Sequence, residues 1–386
     1  MGSKENTGQE SPEDTMSYLF GPSKYWTGDP RDLLVASDAF DLFSFIRDAT
    51  PGWGASKKKA LKAMEKRAVD FSELQERLYA ASKEGASDSV LLILQGLDTA
   101  GKGGIVRHVI GQVDPQGVAL KAFKAPTEEE RAHDFLWRVR PHLPRPGYIG
   151  VFDRSHYEDL LVPTSARYAN QESVFAADED ELNRRYHDIY EMELEAVRAG
   201  MKVIKVCLVV SYEEQGERLM ERLERPDKHW KFSTGDLDTR DNWSAYQDAY
   251  SEVIRRTSTR IAPWYVIPGD RKWYARLAVQ EILVRTLEGI NPTWPKADFD
   301  VDGAKDRLSA SLTPEVLSSH AHEKSSDTGS QDKNEGESKP KKSKKSDKKK
   351  SKKSDASASK DAPHISVSAW GSCSPLAPGN EERGRQ

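Results

Sequence analysis

An α/β fold, with a mainly parallel sheet covered by helices on both faces, is what this sequence predicts, and three observations carry the expectation. Most of five short apolar runs are too continuously apolar to be strands with one face in water. Stretches with helical spacing of apolar residues separate them. The first run passes directly into a glycine-rich turn and then into a helical stretch.

In order, the candidate strands are Ser89–Gly96 (SVLLILQG), Val118–Phe123, Gly147–Asp153, Met201–Val210 and Ala262–Pro268. Ahead of the first, residues 31–87 are rich in Lys, Glu, Ala and Leu at helical spacing and read as an N-terminal helical extension. Thr127 with Glu130 forms a candidate capping box before RAHDFLWRVR, and Ser211 with Glu214 another before GERLMERLE. Further helices are expected over Asp178–Arg198, Trp243–Thr257 and Lys272–Leu287. No internal repeat is present.

Composition narrows the class. The 386 residues are 37% hydrophobic and 31% charged, which excludes collagen-like, mucin-like and small disulfide-stapled proteins. The two cysteines, Cys207 and Cys373, are far apart, which suggests neither a cysteine metal site nor a disulfide framework and fits a reducing, cytoplasmic setting. No stretch approaches the roughly 18 apolar residues of a membrane-spanning helix, so no membrane partner is expected. The opening MGSKENTGQESPEDT lacks an apolar signal core, and Asn6 stands where a myristoylation motif wants Ser or Thr, so neither export nor a lipid anchor is expected.

Net charge is −4, yet Lys339–Lys353 holds ten Lys and one Asp, a local +9 that leaves the remainder at about −13. Residues 1–30 therefore read as a polar N-terminus, 31–295 as one folded domain and 296–386 as a low-complexity tail expected to be disordered. The tail is a candidate polyanion contact or simply a solubilising segment.

Gly96-Leu-Asp-Thr-Ala-Gly101-Lys102-Gly103-Gly104 follows the first strand and precedes IVRHVI. This strand, glycine loop and helix order is that of a P-loop. Backbone N–H groups curl round a phosphate chain, the helix presents its positive end, and Lys102 reaches the phosphate oxygens. The Ser or Thr whose hydroxyl usually binds Mg²⁺ is replaced by Gly103, so Asp98 becomes the candidate metal ligand within the loop. The third strand delivers Asp153 at its carboxyl end in the manner of a Walker B carboxylate, to complete a metal site with Asp98. Arg154 would then neutralise charge on a transferring phosphoryl group. His156 reads as structural, whereas Glu158 and Asp159 either line an acceptor site or face solvent. From Arg218 to Trp243, a cationic helix-turn-helix with Arg222, Lys228 and Lys231 reads as a mobile lid.

GLDTAGKGG, VFDRSHYEDLLV, ERPDKHWKFSTGDLDTRDNW and TSTRIAPWYVIPGDRKWYARLAV together resemble the polyphosphate kinase 2 family over about Tyr18 to Pro295. The resemblance implies a three-layer P-loop kinase fold with a helical lid. It also implies Mg²⁺-dependent, often reversible transfer of the terminal phosphoryl of inorganic polyphosphate to a nucleotide, with Mn²⁺ as an alternative ion. On that reading Asp98, Lys102, Asp153 and Arg154 are catalytic, with Asp98 and Asp153 on the metal, and Gly96, Gly101, Gly103, Gly104 and Arg107 bind phosphate. Lys121 and Lys124 fall where the family lines its polyphosphate channel. The His-Tyr-Glu-Asp run after Arg154 resembles the subclass that phosphorylates AMP and ADP toward ATP. Gly103-Gly104 and Asp153 resemble the diphosphate-preferring subclass, so the choice between AMP and ADP, like that between adenine and guanine, stays open. Assembly as a homo-oligomer is common for the fold. Two other readings of the same motifs are an ATP-dependent kinase of a small phosphate acceptor and a non-catalytic polyanion-binding protein.

Overall fold

A computed structural model describes residues 24–170 and 177–318. The chain divides into two units, 1–301 and 302–386, and the first contains the whole sheet and the candidate site. Its order is α1 (Pro30–Leu34), α2 (Lys57–Ala81), β1 (Ser89–Gln95), α3 (Lys102–His108), β2 (Val118–Ala122), α4 (Glu128–Arg131), β3 (Ile149–Asp153), α5 (Glu158–Tyr168), α6 (Glu179–Arg198), β4 (Met201–Val209), α7 (Tyr212–Glu224), α8 (Gly235–Asp241), α9 (Trp243–Thr257), β5 (Trp264–Pro268) and α10 (Lys272–Ile290). Helix α11 (Val301–Ser309) follows, so the stretch read as tail from residue 296 contains regular structure; the Lys-rich run lies outside the described residues. Among the described residues no helix is long and apolar enough to cross a membrane.

All five strands expected from the apolar runs form, and they pair in parallel in the order β2-β3-β1-β4-β5. Every residue of central β1 is buried, and alternate side chains enter two cores. Val90, Leu92 and Leu94 meet Phe71 and Leu74 of α2 and Ile282 and Leu283 of α10. Leu91 and Ile93 meet Leu160 of α5, Ile189 of α6 and Val253 of α9. Helices thus cover both faces, which satisfies the apolarity that the runs demanded. The connection from β1 runs toward β2 on one side, whereas that from its neighbour β3 crosses to β4 on the other, and ligands bind such sheets at the carboxyl ends beside that switch.

Two local expectations give way. The Thr127–Glu130 capping box forms, but the helix it starts ends at Arg131, and RAHDFLWRVR continues as turns, with Asp134 Oδ1 accepting from Leu136 N at 3.0 Å. Only half of the second box forms: Ser211 accepts from Glu214 N, while the Glu214 carboxylate pairs with Arg218 at 2.6 Å instead of returning to Ser211. Helix α5 was not foreseen because Pro163 interrupts it. The proline leaves the carbonyl of Asp159 without its helical donor, and Arg185 Nη1 fills the place at 2.7 Å.

A buried ion pair, Lys205 with Glu193, lies in the core behind β4. Lys205 of β4 is fully buried and donates to Glu193 Oε2 at 2.9 Å, to the Tyr157 hydroxyl at 2.9 Å and to Thr257 O at 2.8 Å. The Tyr157 hydroxyl in turn donates to Glu193 Oε1 at 2.8 Å. All three ammonium donors are used, which a buried charge requires. Lys205→Met would leave Glu193 buried without its cation and should cost about 3–5 kcal/mol, whereas adding Glu193→Leu should recover much of that loss. Urea unfolding of both variants checks this; a single variant less than about 1 kcal/mol below wild type contradicts it.

Candidate active site

The turn after β1 has its backbone placed by side chains from elsewhere. Gly96 adopts φ +139°, and a Cβ there would stand 2.4 Å from Leu208 O, so only glycine fits. Thr99 (φ +66°) and Gly101 (φ +119°) also take left-handed conformations, the first an uncommon one for a β-branched residue. Each carbonyl from 96 to 100 faces a donor. Lys102 Nζ meets Gly96 O at 2.6 Å and Leu97 O at 3.4 Å, and Gln215 Nε2 faces Asp98 O at 3.5 Å. Arg218 Nη1 reaches Thr99 O at 2.9 Å and Ala100 O at 3.3 Å. The Tyr250 hydroxyl accepts from Gly96 N at 3.2 Å. With its carbonyls engaged, the loop presents N–H groups to a cavity of about 630 Å³ that it lines from Asp98 to Gly104. A Cβ at Gly103 would meet nothing within 4 Å, so packing does not explain that glycine; a bare helix start lets an anion approach closely.

Asp98 and Arg154 meet in this cavity, Nη2 to Oδ1, at 2.6 Å. Burial on its own would raise the Asp98 carboxyl, but Lys102, Arg154 and Arg222 outweigh it and hold it below the usual carboxylate range. For Arg154, burial works against the charge, and Glu158 and Asp98 more than offset it, so the guanidinium stays protonated. Glu158 is pushed upward by burial, against the pull of Arg154 and Lys102. Arg154 itself sits at φ +60°, with its N–H on Leu94 O at 3.0 Å. Ser155 next to it accepts from Gln95 Nε2 at 3.2 Å, and Tyr157 is fixed by the buried Lys205 and Glu193, so a strained residue is over-determined by its neighbours. Asp153, the last residue of β3, lines the same cavity as Asp98.

Nine Lys and Arg side chains line this cavity against three acids, Asp98, Asp153 and Glu221, an excess that suits a polyanion. Lys102, Arg107, Arg154, Arg222, Lys228 and Lys231, all singled out from sequence, are brought together here. Arg218, which the sequence placed only as the start of the lid, joins them, as do Lys272 and Arg276, to which it assigned no role. In the segment 218–243, Arg222 pairs with Asp236 at 3.0 Å and Lys228 pairs with Glu221.

A second cavity, of about 520 Å³, opens on the other side of Arg154, which lines both. It carries Glu158 and Asp159, with Arg138 on Asp159 at 3.2 Å, together with Phe123, Phe135 and Val162. Its five basic and five acidic side chains balance, and its wall is partly apolar. Lys124 lines this second cavity, and Lys121 a separate groove of about 220 Å³, so neither stands with the glycine-rich loop. Among the described residues no group of three or more His, Cys, Asp or Glu forms a metal cage. Asp98, which its cationic neighbours keep ionised, and Asp153, which lines the same cavity, still fit a hard cation such as Mg²⁺, which takes one or two carboxylates and completes its shell with water and phosphate oxygens.

A parallel α/β sheet with a cation-lined glycine loop at its switch point defines a phosphate-handling protein of the P-loop kinase class. The family model described as Polyphosphate kinase 2 matches residues 54–294, and the chain belongs to that family. It is 41% identical over 259 residues to the AMP/ADP-polyphosphate phosphotransferase of Meiothermus ruber, covering 67% of this chain and 92% of that protein. It is 38% identical over 230 residues to the ADP-polyphosphate phosphotransferase of Rhodopseudomonas palustris, covering 58% of this chain and 78% of that one. The crystal structure of Polyphosphate Kinase 2 from Arthrobacter aurescens TC1 superposes with a TM-score of 0.69 at 46% identity, over 74% of this chain and 98% of that one.

His156, read as structural, is fully buried, and neither ring nitrogen has a partner among the described residues. Burial, with Lys205 and Arg138 nearby, lowers it to about 3. The unfolded chain therefore binds a proton below about pH 6.5 that the folded chain refuses until about 3, so stability falls as pH drops through that window. Wild type should lose about 1.4 kcal/mol per pH unit relative to His156→Leu between pH 6 and 4. Parallel urea-midpoint curves for the two proteins would contradict this.

Proposed function

We propose that this chain transfers the terminal phosphoryl group of inorganic polyphosphate to AMP or ADP, toward ATP, and that the transfer is reversible. The observation that carries the reading is Arg154, which lines two cavities of opposite character at the end of one strand. The cation-rich cavity suits a phosphate chain. The balanced cavity has the size of a small-molecule site and the aromatic and charged lining that a nucleotide would use. The relatives in Meiothermus ruber and Rhodopseudomonas palustris, named for transfer between polyphosphate and adenine nucleotides, support it. No feature of the site favours an ATP-dependent kinase or a binding protein without activity.

Phosphoryl transfer asks for alignment and charge neutralisation rather than covalent help from the protein. Lys102 and the loop N–H groups hold the terminal phosphate. Lys102 now rests on the carbonyls of Gly96 and Leu97, and it exchanges them for phosphate oxygens. An oxygen of the acceptor's terminal phosphate attacks the terminal phosphorus. The bond from that phosphorus to the bridging oxygen breaks, and the shortened chain leaves with the electron pair. Arg154, between donor and acceptor, meets the charge that grows on the transferring group. Asp98 and Asp153 would hold Mg²⁺, which supplies neutralisation of the phosphate oxygens. Arg107, Arg222, Lys228 and Lys231 bind the chain further out, and the segment 218–243 acts as a lid that keeps water from the phosphorus.

Purified protein with polyphosphate and Mg²⁺, offered AMP, ADP, GMP and GDP separately, should convert at least one adenine nucleotide to its next higher phosphate through a new phosphoanhydride bond. Arg154→Met should lower kcat by about 10²–10³-fold with little change in unfolding midpoint. Transfer from ATP alone, no transfer at all, or a variant within threefold of wild type would contradict the reading.

A further inference from the structure

Gln215 occupies a junction between the loop and the returning arm of the 218–243 segment. It is fully buried near the start of α7, with Nε2 facing Asp98 O at 3.5 Å and Oε1 accepting from Arg240 Nη1 at 3.1 Å. Arg240 belongs to α8, on the returning arm. Its Nη1 also donates to Tyr212 O at 2.5 Å, and its guanidinium lies 3.4 Å over the Tyr212 ring centre. Gly216 leaves room for it: a Cβ there would stand 3.0 Å from Arg240 Nη2.

An amide has one accepting and one donating end, and a purely donating guanidinium decides which is which. With Oε1 held by Arg240, the Gln215 amide must turn Nε2 toward the carbonyl of Asp98. Without Arg240 the amide is free to flip, which would set two oxygens against each other. At 3.5 Å the contact to Asp98 is the longest of those holding the loop carbonyls and stands at the limit of a hydrogen bond.

We propose that Arg240 is a positioning residue for the transfer: by orienting the Gln215 amide it turns the Asp98 carbonyl away from the cavity, so the loop takes its working geometry only when the arm carrying Arg240 is in place. The inference rests on the polyphosphate transfer proposed above. It gives the lid a second task beyond excluding water, because the arm that covers the phosphates also sets the loop that binds them.

Two variants of the full chain separate this role from simple anchoring. Arg240→Met removes the orienting group. Gln215→Glu keeps a partner for Arg240 but has no donor for Asp98 O. Both should lower kcat by about 10–100-fold with the acceptor KM within about twofold of wild type. In both, backbone hydrogen exchange over 97–101 should be faster than in wild type while that of β4 is unchanged. Wild-type kcat in Gln215→Glu, or unaltered exchange over 97–101 in Arg240→Met, would overturn the inference. A wild-type protein that transfers nothing from polyphosphate would instead overturn the proposed function, and the exchange data would still decide the role of Arg240.

Discussion

A stretch of backbone offers N–H groups to an anion only where its carbonyls are turned aside and given donors of their own. In this protein Lys102, Gln215 and Arg218 do that for the five carbonyls between Gly96 and Ala100. Arg218 also holds the carbonyls of Gly269 and Asp270 after β5, at 2.7 and 3.1 Å, so one guanidinium ties the loop to the end of β5, two strands away in the sheet. The left-handed conformation that would be costly at Thr99 alone persists because these bonds hold the loop on either side of it, while Gly96 and Gly101 take positive φ without penalty.

The same reasoning extends to the opposite wall. Arg154 is useful between two cavities only if its backbone stays in a left-handed conformation. Three residues later, Tyr157 enters the buried Lys205–Glu193 pair, which fixes the turn after β3 from inside the protein. A charge in the core is expensive, and its use here is to hold a cationic side chain at the surface in one place. Asp98 faces that side chain, and the surrounding cations keep it ionised at neutral pH.

Four of the strands were readable because a parallel sheet covered on both faces demands continuous apolar runs, whereas β2, at the edge, has no fully buried residue and carries Lys121. The loop was readable because its chemistry is local: glycines, an Asp and a Lys within nine residues. What escaped depends on distant partners. Gln215, Arg218 and Tyr250 reach the loop across more than a hundred residues, and nothing in their own neighbourhoods says which carbonyl or N–H they meet. Lys121 and Lys124 count as positive charge in a sequence, but charge has no direction there. β2 is the edge of the sheet, and the residues at its end open on other cavities than the loop does. The capping box at Thr127 shows the converse, a local signal honoured locally that does not decide how far the helix runs.

A crystal structure of the protein with a short polyphosphate and Mg²⁺ would test the account most directly. A terminal phosphate is expected on the N–H groups of Gly101, Lys102 and Gly103, with Lys102 Nζ moved from the Gly96 carbonyl to a phosphate oxygen and the carbonyls of Thr99 and Ala100 still on Arg218. Polyphosphate bound elsewhere, with Lys102 still on Gly96 and the loop N–H groups facing water, would contradict it.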